Sequence, residues 1–282
     1  MWNLFQTKRS IFSVFLQSLL LITPLAQAGK LAIVIDDIGY RMKEDNAIYA
    51  LPKEVSVAII PVAPYATARA QKAYQQKRDV LIHLPMQPKN RHQPIESGAL
   101  MVGASKEKVS QLIQAARNQV PYAIGLNNHM GSGATADRQT MEHLMAELSK
   151  QQLFFLDSKT GPSVAAKIAR ELGVNALERS LFLDDNDALH EVQNQFHLAL
   201  HYARKHGSAI LIGHPRKNSI EVLEKGLANL PEDIQLVSMG TLWRNDSVVP
   251  KTPFIMIFDD MPAPTSVAPF NAVPLLRGVP KD

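Results

Sequence analysis

The sequence contains no cysteine, which removes disulfide scaffolds, thiolate metal sites and cysteine nucleophiles together. It has no block of lysine and arginine either. With a formal net charge of only +4 over 282 residues, a nucleic-acid partner is disfavoured. There is no G-x-x-x-x-G-K-[ST] loop, no G-x-G-x-x-G after a strand and no G-x-S-x-G elbow, so the usual signatures of phosphate cradles, dinucleotide sites and serine hydrolases are missing. No apolar run reaches the ~20 residues of a comfortable bilayer span. The 46% hydrophobic and 20% charged residues are an ordinary balance for a folded chain with a sizeable core.

The apolar run Ile11–Ile22 follows Lys8 and Arg9 and precedes Pro24 and Ala26-Gln27-Ala28. A charged start, a short apolar centre and small residues at the exit are the layout of a secretory signal peptide, here residues 1–28. An uncleaved anchor is the alternative. Cleavage would leave a protein with no stable membrane span, exported across the inner membrane, and the expected compartment is the periplasm; the lack of cysteine is compatible with that but does not require it. At the other end, seven of the 18 prolines fall within residues 246–282, a density that sustains neither ladder nor helix. That stretch reads as an extended or disordered tail, with Phe254–Phe258 as a segment able to dock on the domain. Residues 29–245 remain as a single domain.

Within it, short apolar runs alternate with helical stripes. Leu31–Ile35, Val55–Ile60, Val80–Leu84, Tyr122–Leu126, Leu153–Leu156, Ala209–Ile212 and Ile234–Val237 read as strands buried on both faces, with weaker runs near Val174–Leu177 and Leu181–Leu183. Val109, Leu112, Ile113 and Ala116 share one helical face; so do Met141, Leu144, Met145 and Leu148, with Thr135 expected as the cap, and Leu189, Val192, Phe196, Ala199, Leu200 and Ala203. This rhythm implies right-handed βαβ units and a parallel sheet. The expected fold is α/β, a distorted (β/α) barrel of about seven parallel strands, with an open doubly wound sheet as the second choice.

Catalytic groups of such folds gather at the carboxyl ends of the strands. There the sequence places Asp36-Asp37-Ile38-Gly39, His83, Asn127-Asn128-His129, Asp157-Ser158 and Gly213-His214-Pro215, with no cationic side chain until Arg216. Asp36 and Asp37 would point to opposite faces of a regular strand; where the pleat breaks, with Gly39 freeing the turn, both can enter one crevice. Two such carboxylates repel unless a cation or a proton separates them. The bland alternative is a turn in which one of them caps the following helix. Asp with two His is a common ligand set for a catalytic divalent metal, and a third His would be free for proton transfer. His197 and His201, four apart on a helix, read as a solvated face. A glycosidase using Asp36 with Asp157 is a further reading, one that chelation would not stop.

Taken together, I-D-D-I-G-Y (35–40), L-I-H-L-P-M (81–86), G-L-N-N-H-M-G-S (125–132), F-L-D-S (155–158), F-L-D-D (182–185) and I-G-H-P (212–215) resemble the divergent polysaccharide deacetylases. The resemblance spans roughly residues 29–240. It implies metal-assisted removal of an acetyl group from a carbohydrate, the ion being zinc. On the main family's pattern Asp36 would be the general base, Asp37 and His83 metal ligands, and His214 the catalytic acid supported by Asp157. The family's second ligand histidine, four residues after the first, is replaced by Gln87; His129 is our substitute. The third-motif arginine has no counterpart, and Asn127, Asn128 and Ser158 are left to meet substrate. The missing histidine and arginine keep a second expectation open, a non-catalytic periplasmic protein binding glycan or an envelope partner on the same scaffold.

Overall fold

A computed structural model describes residues 28–245; the expectations for the signal peptide and the proline-rich tail lie outside the described residues. The chain runs β1 (Gly29–Ile38), α1 (Met42–Ala50), β2 (Ser56–Ile59), α2 (Ala66–Gln75), β3 (Val80–Met86), α3 (Lys106–Gln119), β4 (Gly125–Met130), α4 (Arg138–Lys150) and β5 (Phe154–Asp157). It continues through α5 (Ala165–Glu171), β6 (Ala176–Glu178), β7 (Leu181–Phe182), α6 (Leu189–His206), β8 (Ser208–Gly213), α7 (Lys217–Ala228), β9 (Ile234–Val237) and α8 (Met239–Arg244). Each stretch expected to be strand or helix is found as one. The boundaries differ where polar residues end a strand: β3 runs to Met86 and β4 to Met130, so His83 and Asn127-Asn128-His129 lie within ladders rather than beyond them.

The strands are parallel, in the order β6-β5-β4-β3-β2-β1-β8-β7, with β9 on β1. The two ends of that path are separated in the chain only by Arg179 and Ser180. One extended stretch therefore pairs with β5 through its first half and with β8 through its second. The ring is carried across by the chain itself, with no helix between β6 and β7. This is the distortion, and it leaves seven strand positions around a (β/α) barrel. β9 pairs with Gly29–Ala32, and β2 takes over β1 from Val34 onward. At the amino-terminal end of the barrel α8 acts as a plug: Met239 N–H donates to Ser56 Oγ (3.1 Å) and Gly240 N–H to Asp79 Oδ2 (2.7 Å).

Two caps explain where helices start. Ser105 accepts from Lys108 N–H ahead of α3, and Asp137 from Thr140 N–H (2.8 Å) ahead of α4. Thr135 is not the α4 cap. Its hydroxyl donates to Gly131 O instead, and the Asp137 carboxylate, two residues closer, answers the positive end of the helix better.

The period-two alternation of the strands sorts the buried apolar residues into two sets. Leu31, Ile33, Ile35, Val57, Ile82, Leu126, Phe155 and Leu211 join the large core beneath the helices. Ala32, Val34, Ala58, Leu81, Phe154, Leu156, Ile210 and Ile212 are buried outside that cluster and fill the barrel interior.

Asp45, on α1, lies fully buried and accepts from Gly39 N–H (3.1 Å), clamping the turn that follows the Asp pair. Burial pushes its carboxyl up to about 6. A raised acid stabilises the fold below its unfolded value near 3.8 and loses that contribution as pH rises through 6. Asp45→Asn keeps an acceptor without the buried charge, so at pH 8 it is expected to stabilise the protein by about 1–2 kcal/mol after allowing for screening. Below pH 4 the difference from the native protein should vanish. Urea midpoints at the two pH values check this, and a variant less stable at pH 8 would refute it.

Candidate active site

The barrel interior is apolar until its carboxyl-terminal layer, where the same alternation turns polar. Ala32 and Val34 lead to Asp36, Leu81 to His83, and Ile210 and Ile212 to His214, while β4 adds Asn127 and His129. Asp37 is out of phase and a regular pleat would turn it away. Instead its φ is +57°, and the register between β1 and β2 shifts between Ile35 and Ile38. A non-glycine residue in this left-handed region costs roughly 1–2 kcal/mol. The strain brings both carboxylates to one crevice, and neither caps α1, whose amino-terminal residue makes no side-chain cap bond. Gly39, at φ +118°, completes the turn.

Asp37 Oδ1 lies 3.1 Å from His129 Nδ1 and 3.3 Å from His83 Nε2, and those two nitrogens are 3.1 Å apart. Donors each ~2.0–2.1 Å from a shared ion stand about 3.3 Å apart in a tetrahedral shell and about 2.9 Å apart in an octahedral one. The triangle therefore has the dimensions of an ion site, and it is the single such cluster among the described residues. Asp37 Oδ1 is buried with no hydrogen-bond donor of its own. His83 Nδ1 faces Asn127 Oδ1 at 2.9 Å, which leaves Nε2 for the triangle. One carboxylate and two imidazoles suit zinc and its transition-metal neighbours better than magnesium or calcium, which prefer oxygen. These residues fit a divalent transition-metal ion.

The electrostatics agree. Burial alone would raise Asp37, but the His129 and His83 imidazoles crowding its Oδ1 hold it far below the usual carboxylate range. Burial alone would lower His83; the Asp36 and Asp37 carboxylates outweigh it and push His83 up to about 9. The pocket thus draws positive charge inward. Asp36, 2% exposed, is raised by burial and accepts from Asn127 Nδ2 (2.8 Å). Opposite it, His214 Nε2 stands 4.0 Å from Asp37 Oδ2. Asp36, His83, Asn128, His129, Ser158 and His214 line a common cavity of about 280 Å3. A larger groove of about 810 Å3, on the outer wall where the helix between β6 and β7 is missing, is lined without any such cluster.

Three expectations need correction. Asp157 does not support His214. Leu156 faces the barrel interior, so Asp157 faces away, its Oδ1 accepting from Lys159 N–H and its Oδ2 buried without a donor. The supporting carboxylate is Asp184, in phase with Phe182: Oδ1 lies 2.8 Å from His214 Nδ1, and Oδ2 accepts from His214 N–H and the Ser219 hydroxyl. Its signal was present in the F-L-D-D motif. The same phase error separates Asp36 from Asp157 and dissolves the two-carboxylate glycosidase pair. Asn127, expected to meet substrate, is fully buried, with Oδ1 on His83 and Nδ2 shared by Asp36 and Ser158; it orders the site from behind. Asn128 and Ser158 do reach the cavity wall, although Asn128 Oδ1 also accepts from Ser158 N–H.

Two residues went unread in the sequence. Arg179 lies 3.7 Å over the Phe182 ring, donates to the carbonyls of Ser158 and Lys159, and is a cation near the site well before Arg216. Glu96 reaches His129 from the long loop after β3, with Oε2 3.5 Å from Nε2. No local pattern marks either, because each depends on a loop being folded back. His197 and His201 belong to no ligand cluster, in line with a solvated face.

The model of the family described as divergent polysaccharide deacetylase matches residues 33–243. An uncharacterized protein of Haemophilus influenzae is 59% identical over 271 residues, covering 96% of both chains. The uncharacterized protein YibQ of Escherichia coli is 40% identical over 275 residues, covering 97% of this chain and 84% of that one. Among solved structures, an uncharacterized protein of Agrobacterium tumefaciens superposes with a TM-score of 0.71 at 19% identity, over 77% of this chain and 90% of that one; at that identity the likeness speaks to the fold alone.

Proposed function

The chain belongs to the divergent polysaccharide deacetylase family, and from that membership we propose that it is a metal-dependent hydrolase removing acetyl groups from a cell-envelope carbohydrate. The observation that carries the reading is the triangle of Asp37, His83 and His129 donors at 3.1–3.3 Å with a base candidate and an acid candidate on its two sides. Asp37, His83 and His129 would hold the ion, zinc by the chemistry of the donors; when bound, it supplies Lewis acidity toward an acyl oxygen and lowers the pKa of water.

The remaining work falls to the chain. Asp36 takes the proton of the attacking water, and burial, by raising its carboxyl, makes it a stronger base than an exposed aspartate. Asn127 fixes that carboxylate while holding the His83 tautomer. His214 gives a proton to the departing sugar nitrogen or oxygen from Nε2, because Asp184 occupies Nδ1. Burial lowers the His214 imidazole but the Asp184 hydrogen bond outweighs it, keeping the acid charged to higher pH. The cavity of about 280 Å3 lies just below the size of drug-scale sites, matched to one acetylated sugar unit at a time. The layout of residues 1–28 supports work in the periplasm, and among the described residues no helix is long and apolar enough to cross a membrane.

The test is acetate release from N- and O-acetylated glycans by zinc-loaded protein. Release is expected, is expected to stop on chelation, and is expected to fall at least 10²-fold in Asp36→Asn. Stoichiometric zinc without acetate from any acetylated glycan, but with measurable glycan binding, would instead support the non-catalytic scaffold.

A further inference from the structure

The loop that replaces the family's second ligand histidine carries its own structural logic. Gln87 stands where that histidine would be, and its side chain points away from the triangle: Oε1 accepts from Val102 N–H at 3.0 Å. Its backbone N–H donates to Leu100 O, and its carbonyl accepts from Gly133 and Ala134 N–H. Together with the Met86–Leu100 bridge, these bonds close the neck of the loop between residues 87 and 100. Closing the neck folds the loop back over β4 and brings Glu96 to the outer edge of the His129 ring.

There the two nitrogens of His129 face different groups. Nδ1 is 3.1 Å from both Asp37 Oδ1 and His83 Nε2, while Nε2 is 3.5 Å from Glu96 Oε2. That Glu96 oxygen is buried and makes no hydrogen bond, so the His129 ring edge is the polar group it faces. His83 shows the matching arrangement, with Nε2 inward and Nδ1 on Asn127 Oδ1. We propose that Glu96 is the positioning residue of His129, an outer carboxylate that keeps the proton on Nε2 so that Nδ1 is free as a metal donor. Gln87 and His129 are then two halves of one replacement. The chain gives up the histidine at position 87, takes its donor from β4, and uses the vacated position to fasten the loop that orients the new donor.

The proposal rests on the ion-binding reading above, so the test has one arm that needs no metal. Long-range 1H–15N spectra of the metal-free full chain report the His129 tautomer. The Nε2–H form is expected in the native protein and in Glu96→Gln, whose amide oxygen can still accept, and it should lose its preference in Glu96→Ala. In the second arm, Zn2+ affinity is read by chelator competition. Glu96→Ala should weaken it 10- to 100-fold, the range typical of lost outer-shell partners, and Glu96→Gln should recover most of that loss. An unchanged His129 tautomer in Glu96→Ala, or a Zn2+ affinity within twofold of native, would overturn the proposal. If native protein bound no Zn2+ at all, the ion-binding reading would fall, and the spectra would still decide whether Glu96 governs His129.

Discussion

Asp37→Ala is expected to weaken Zn2+ binding by more than a hundredfold and to remove acetate release altogether. Structural zinc sites are worth roughly 10 kcal/mol or more, so one of three protein donors carries about 3 kcal/mol. The more informative substitution is His129→Ala, because His129 is the donor that the main deacetylase family's pattern does not supply. It should lose zinc as fully as Asp37→Ala, whereas Gln87→Ala should retain stoichiometric zinc, since the Gln87 side chain is engaged with Val102 N–H. Metal analysis of the purified proteins, with circular dichroism to confirm folding, separates the cases. Full zinc content in His129→Ala would remove it from the donor set. Binding must also displace protons from imidazoles, and His83 is pushed up to about 9. The apparent affinity should therefore climb with pH toward 9; a pH-independent affinity would mean that His83 is not a donor.

Asp184→Asn is expected to lower kcat by 10²–10⁴, the scale seen when a buried carboxylate behind a catalytic histidine is neutralised. Asp157→Asn should change it little, because Asp157 faces the other side of β5. The pH profile carries the sign. His214 must hold its proton to act as the acid, so activity falls as pH rises through its pKa. Burial depresses that pKa and the Asp184 hydrogen bond raises it to a net upward shift. Neutralising Asp184 removes the strongest opposition to burial and leaves only the more distant Asp36 and Asp37 charges, so the alkaline limb should move to lower pH. The opposite pattern, with Asp157→Asn crippling and Asp184→Asn mild, would make Asp157 the carboxylate that supports His214.

The contrast between those two aspartates shows how far a linear reading reaches. Both follow a short apolar run, both sit in an F-L-D motif, and nothing local separates them. What separates them is phase. Leu156 faces inward and turns Asp157 out, while Phe182 faces inward and its second neighbour Asp184 follows it. Asp36 and Asp37 pose the same problem in reverse. Their adjacency is visible in the chain, but only the left-handed torsion at Asp37 brings both to one crevice. Asn127 was legible as a polar residue in the right place; its complete enclosure, with all three hydrogen bonds made to protein, was not.

Composition and period were enough for the strand–helix rhythm, the parallel sheet and the gathering of Asp, His and Asn at one end of it. Those properties follow from burial and from strand geometry, which act over a few residues at a time. Tertiary structure alone decided which carboxylate holds His214, that Glu96 stands behind His129, and that β6 and β7 share one place in the ring. Each of these joins residues tens of positions apart, and the pairing is set by register and loop closure, which no local pattern encodes.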